Sequence, residues 1–169
     1  MELLLKVENL VTCFGTKKGI VKAVDGVSFE IKAGKILGIV GESGCGKSVT
    51  SLSIMRLLPD QLGKITDGSI LFEGKDLRSL SEKEMVRIRG NKIAMIFQDP
   101  MTSLDPVMTI GGQLEETILA HEKVSRKEAE KKSLEMLKKV NIPMPEYRMK
   151  EYPHQLSGGM RQRIMIAMG

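Results

Sequence analysis

The stretch Ile36-Leu37-Gly38-Ile39-Val40-Gly41-Glu42-Ser43-Gly44-Cys45-Gly46-Lys47-Ser48-Val49 decides how this chain is read. Its first five residues form a short apolar run without alternation, which predicts a strand buried on both faces, as in a parallel sheet covered by helices. Residues 41–48 fit the pattern GxxxxGK[ST]. After them Leu52, Met55 and Leu58 fall on one helical face until Pro59 stops the run. Strand, glycine loop and helix in that order give the pattern its physical meaning. The glycines let the backbone wrap closely, so that successive N–H groups and a helix N-terminus point at phosphate oxygens. Lys47 is expected to neutralise the terminal phosphates, and Ser48 to offer its hydroxyl to the Mg²⁺ that a triphosphate mostly coordinates itself. Gly41, Glu42, Ser43, Gly44, Cys45, Gly46, Lys47, Ser48 and Val49 are therefore the candidate nucleotide-binding residues. The bland alternative is a glycine-rich turn with no chemical purpose. Cys45 reads either as a thiol acidified by the helix terminus or as a filler at a tolerant position.

Outward from this loop the elements alternate. Val27, Phe29 and Ile31 alternate with Ser28 and Glu30, the mark of a half-buried strand, and Lys32-Ala33-Gly34 turns the chain. Residues 69–72 read as a further strand, and Ser81 with Glu84 forms a capping box for a short helix through Val86 and Ile88. Residues 93–97 read as another buried strand. Beyond Pro106 the pattern becomes helical: Thr109 caps one helix, and Ser125 with Glu128 boxes a second that buries Ala129, Met136, Leu137 and Val140 before Pro143 and Pro145 end it.

Composition bounds the function. With 169 residues, 41% hydrophobic and 28% charged, the chain has room for one domain with a real core, or part of one. The formal charge of +5 raises nucleic acid or an anionic membrane as partners. Between His121 and Lys150, however, nine Lys and Arg are interspersed with five Glu at helical spacings, and Tyr147 alone stands among them where single-strand binding requires a series of aromatic residues, so no nucleic acid is expected. Cys13 and Cys45 have no paired spacing, which argues for a reducing compartment and against a disulfide framework or zinc site. The first eight residues lack a signal pattern, and no run approaches a membrane span. His121 and His154 read as surface residues.

The guanine-reading pattern Asn-Lys-x-Asp fails, because Asn91-Lys92-Ile93 is followed by Ala94, and a GTPase is disfavoured. Near the other end stands Leu156-Ser157-Gly158-Gly159-Met160-Arg161-Gln162, in which Ser157 caps a helix and makes a second anion site with the adjacent N–H groups. With this signature the chain resembles the ATP-binding subunits of ABC transporters. Its text at residues 41–48, 96–106 and 152–163 is closest to the oligopeptide, dipeptide or nickel importer type, and the resemblance covers the entire chain.

The resemblance implies an α/β fold of the P-loop NTPase (ABC ATPase) class. An N-terminal antiparallel β-subdomain and a partial RecA-like core fill about residues 1–108, and a helical subdomain fills about 109–169. It implies ATP and Mg²⁺ as cofactors, Gln98 as the residue approaching Mg²⁺ and the attacking water, and Phe14 as the ring against adenine. A lone Phe at a strand end otherwise reads as core. Ser157, Gly158 and Gly159 would serve the ATP of a second subunit. Without the family, residues 93–99 could pass for a magnesium-binding strand ending in Asp99, but Gln98 is the preferred reading because the family places that strand after the signature. Implied partners are a second ABC ATPase subunit, transmembrane permease subunits facing residues 98–114, and indirectly an extracytoplasmic solute-binding protein, with the chain on the cytoplasmic face of the membrane.

The family's Walker B aspartate, catalytic glutamate, D-loop and switch histidine do not occur before Gly169. The expectation is thus an N-terminal fragment that binds ATP weakly and does not turn it over, its general base being absent. Rival readings are a soluble ABC-type ATPase acting on ribosomes or DNA, and a non-catalytic nucleotide-binding module. The transported substrate is not encoded in this chain.

Overall fold

A computed structural model describes residues 2–59, 62–97 and 103–169. They fall into two compact units, Met1–Met85 and Val86–Gly169.

The first unit is built on an antiparallel four-stranded sheet in the order β2-β1-β3-β4, with β1 Leu3–Thr16, β2 Gly19–Lys32, β3 Gly63–Phe72 and β4 Lys75–Asp76. Along β1 the buried positions run Leu5, Val7, then Leu10, Thr12. The phase slips where the register shifts, between Val7 and Leu10 against β2 and between Glu8 and Val11 against β3, and Asn9 takes the left-handed conformation there (φ 46°). This bulge keeps apolar side chains on the core face on either side of it. Helix α1, Lys47–Met55, packs against that face with Ile54 and Met55 buried. Thr12 and Ser53, both fully buried, meet at 2.8 Å. Ser53 Oγ donates to the Val49 carbonyl at 2.7 Å, so the Thr12 hydroxyl donates to Ser53 and ties α1 to β1.

The second unit is helical. It comprises the end of α2 (Glu82–Ile88), α3 (Ile110–His121), α4 (Arg126–Lys139), α5 (Pro145–Arg148), a 3₁₀ turn at Pro153–Gln155, and α6 (Gly158–Met168). Its core gathers Leu104, Ile110, Leu114, Leu137, Ile142, Met149, Leu156, Ile164 and Met165. The expected caps are present. Thr109 accepts from Gly112 N–H, Ser125 and Glu128 form a complete capping box, and Ser81 donates to Glu84 through its N–H at 2.8 Å and its hydroxyl at 2.6 Å.

Several expectations are corrected. Residues 36–40 are not a strand: they pair with nothing in the described sheet and leave Ile36 and Val40 almost wholly exposed. A parallel strand completes its hydrogen bonds only between neighbours, and the sheet formed here is an antiparallel one that does not include this run. Residues 93–97 likewise make only one isolated bridge, Ile93 to Arg89. Helix α1 stops at Met55 because Arg56 turns left-handed (φ 51°) and donates to the carbonyls of Leu77 and Leu80, so Leu58 lies outside it. In α2 the buried residue is Met85, while Val86 is exposed, and in α4 the stripe is Ala129, Ser133, Leu137, with Met136 outward. His121 is half-buried: a Cβ on Gly90 would stand 2.7 Å from its Nε2.

Candidate functional site

The loop over residues 41–48 is shaped by its glycines and closed by its lysine. Gly46 is the N-cap of α1 in the left-handed region (φ 93°), and a Cβ there would strike the Ala23 carbonyl of β2 at 2.3 Å. Only glycine meets both demands. Having no side chain, Gly46 accepts nothing from the first-turn N–H groups, so those donors remain for an acceptor outside the helix. At the other end a Cβ on Gly41 would come within 2.6 Å of Cys45 Sγ. Lys47 Nζ donates to the carbonyls of Gly41 and Glu42, each at 2.7 Å, and lies 3.4 Å from Cys45 Sγ. Its ammonium therefore stands inside the curve of the loop, bonded to neutral acceptors that an anionic oxygen outcompetes. Ser48 is exposed and its hydroxyl accessible, Val49 is half-buried, and Glu42, Ser43, Gly44 and Cys45 are exposed. Donors, charge and hydroxyl fit a phosphate chain with its metal ion.

Phe14 lies near the end of β1, half-buried, with its ring over Gly63, where a Cβ would be 2.9 Å from Phe14 Cε1. Its partner on β2 is Val21, two residues from the Ala23 whose carbonyl meets Gly46. The strand thus spaces the ring from the loop by roughly 7 Å along its length. Gln98 and the alternative Asp99 lie outside the described residues.

In the second unit Ser157 is the N-cap of α6 and accepts from Met160 N–H at 3.3 Å. Gly158 and Gly159 are exposed, and beyond their own helix nothing among the described residues lies within 4 Å of a Cβ placed on either. Packing among the described residues therefore does not require glycine at either position. His154 is exposed and stacks on Tyr152 at 5.8 Å.

Two features escaped the sequence reading. One is the buried Thr12–Ser53 pair beneath α1, which no local pattern announces. The other is Gln113, buried on α3 and bonded to the turn at residues 105–108. A signal existed for the second, because Gln113 is a polar residue in the stripe of Ile110, Leu114 and Thr117.

Comparison with known proteins gives the family. The ABC transporter family profile matches residues 24–169. A dipeptide transport ATP-binding protein of Bacillus subtilis (strain 168) is 60% identical over 168 residues, 99% of this chain and 50% of that protein. A probable peptide ABC transporter ATP-binding protein of Sinorhizobium fredii is 57% identical over 167 residues, again 99% and 50%. The chain spans about half the length of the curated relatives it matches. Among solved structures, a dimeric ATP-binding cassette in a post-hydrolysis state bound to ADP and Pi superposes with a TM-score of 0.85 at 29% identity, over 98% of this chain and 68% of that one. The fold is thus that of an ABC ATPase, of which the described residues form the antiparallel sheet, the phosphate loop and the helical part.

Proposed function

Because the chain belongs to the ABC transporter ATP-binding family, we propose that it binds Mg·ATP at residues 41–49 and belongs to a subunit that hydrolyses ATP to drive peptide import. The observation that carries this reading is the uncapped N-terminus of α1 with the Lys47 ammonium folded into the loop. In it, the N–H groups of the loop and first turn take phosphate oxygens, and Lys47 exchanges carbonyl bonds for charge-assisted ones. Ser48 would hold Mg²⁺ through its hydroxyl, and the ion would supply positive charge that offsets the phosphates. Gln98 positions the attacking water, and Phe14 offers a ring face to the base. Ser157 with Gly158 and Gly159 forms the second anion site, which a partner subunit's nucleotide reaches when two copies close.

Peptide import is favoured by the relatives, whose names are those of peptide and dipeptide transport proteins. Permease subunits are the membrane partners in this reading, with a solute-binding protein acting through them, and the chain sits on the cytoplasmic face of the membrane. No helix among the described residues is long and apolar enough to cross a membrane.

The test is uptake of labelled di- and oligopeptides by vesicles holding the assembled transporter, with Gln98→Ala and Asp99→Ala compared. ATP-driven uptake lost in Gln98→Ala and kept in Asp99→Ala is the expected result. Loss confined to Asp99→Ala overturns the role of Gln98, and absence of peptide uptake overturns the transport reading.

A further inference from the structure

A run of hydrogen bonds in the helical unit joins two segments that lie far apart in sequence. Gln113, 5% exposed, uses its amide completely: Oε1 accepts from Asp105 N–H at 2.9 Å, and Nε2 donates to the carbonyls of Asp105 at 3.0 Å and Met108 at 3.1 Å. These bonds lock the turn at residues 105–108, which Asp105 Oδ1 also braces by accepting from Val107 N–H at 2.9 Å. The first turn of the same helix is fixed elsewhere. Ile110 N–H donates to the Glu151 carbonyl at 2.9 Å, and Gly111 N–H to the Met149 carbonyl at 2.8 Å. That approach needs glycine, since a Cβ at 111 would stand 2.8 Å from the Met149 carbonyl oxygen. Arg148 grips the Glu151 carboxylate at 2.9 and 2.7 Å, and the chain then passes through Tyr152, whose N–H donates to Gln155 Oε1 at 2.8 Å, to Ser157.

We propose that Gln113 is a positioning residue that holds the turn at residues 105–108 in fixed register with the segment leading to Ser157. It rests on the role given above to Ser157. A side chain wanted only to fill this stripe would be apolar, because burying an amide gains nothing unless its partners need it. Here the partners are one N–H and two carbonyls of a turn whose own backbone gives the Asp105 carbonyl a long bond from Met108 N–H at 3.4 Å. The central links, from the turn to residues 149–151, are backbone groups or a buried amide, which do not slacken as exposed ion pairs do. A shift of the turn is therefore passed to residues 149–157 instead of being absorbed.

Amide hydrogen exchange on the purified chain tests this with Gln113→Leu and Gln113→Glu. In Gln113→Leu, exchange is expected to accelerate on the order of tenfold at Val107 and, through the strut, at Gly111 and Met160, while Ala129 in α4 keeps its rate. In Gln113→Glu, the ionised carboxylate accepts from Asp105 N–H but faces two carbonyl oxygens, and the protonated form donates to one of them. Its excess over the unsubstituted chain at the same pH should therefore shrink as pH falls through the carboxyl titration. Acceleration confined to residues 105–108, with Met160 unchanged, overturns the proposal. So does an excess in Gln113→Glu that ignores pH, which also decides the matter should Gln113→Leu loosen the whole unit. Mg·ATP titration of the unsubstituted chain keeps the two readings apart: failure to bind removes the proposed function and leaves the exchange result standing.

Discussion

Ile36 and Ile110 are the same residue in two apolar stretches, yet Ile36 is 100% exposed and Ile110 is 0% exposed. The difference lies in what each kind of element needs from its surroundings. A helix closes its backbone hydrogen bonds within itself, so α3 needs only an apolar stripe to face, and α4 and α6 provide one. A parallel strand closes nothing alone. Its N–H and C=O groups and both its faces depend on neighbouring strands and covering helices, and residues 36–40 have none in the described sheet. The phosphate loop that follows is nevertheless shaped, because Gly46 and Lys47 hold it through bonds and contacts within a few residues and against β2.

The largest effect that tests this contrast is a pair of truncations in the 169-residue chain. Leu114→Ala, which opens the helical core, should cost about 2–5 kcal/mol in denaturant unfolding, whereas Ile36→Thr should stay within about 0.5 kcal/mol. Equal costs would mean that residues 36–40 are packed in solution, and the contrast would fail.

A second pair sharpens the description of the sheet unit. Ser53→Ala leaves the Thr12 hydroxyl buried with no acceptor and should destabilise by about 1–3 kcal/mol. Thr12→Val removes that donor with little change of shape, leaves the Ser53 bond to Val49 intact, and should cost less. The reverse order, read from the same unfolding curves, would show that the donor direction assigned here is wrong.

The smallest effect concerns the start of α4. The Ser125 backbone N–H at 3.0 Å and its hydroxyl at 2.8 Å hold the Glu128 carboxyl below its ordinary value of 4.5. With the folded value depressed, this stabilisation is complete above about 4.5 and is lost as pH falls through the folded value. Ser125→Ala should lower Tm by about 2–4 °C at neutral pH. The gap from the unsubstituted chain should narrow under acid; a gap that is constant down to pH 3 or so would assign the effect to the hydroxyl cap alone.

The same contrast explains how much of the molecule was legible in its sequence. Caps are local devices, and Thr109, Ser125 and Ser157 stand as their spacing announces. Strands at 36–40 and 93–97 were misread because an apolar run states a wish for burial and not whether partners are at hand. The bulge at Asn9 and the Thr12–Ser53 pair depend on the register of one strand against its neighbours, which no stretch of sequence carries by itself. Gln113 was legible in principle, as a polar residue inside an apolar stripe, but what it holds is eight and five residues away in a turn without periodicity.

The central claim is that a locally built loop, with one ammonium drawn into it, holds the phosphates of ATP. Titration of Mg·ATP into the purified chain, unsubstituted and as Lys47→Ala, addresses it most directly. The account expects saturable binding by the first and an affinity lower by about 10- to 100-fold in the second, the worth of a hydrogen bond to a charged group. Affinities that agree within about twofold would contradict it, since the charge inside the loop would then be holding nothing.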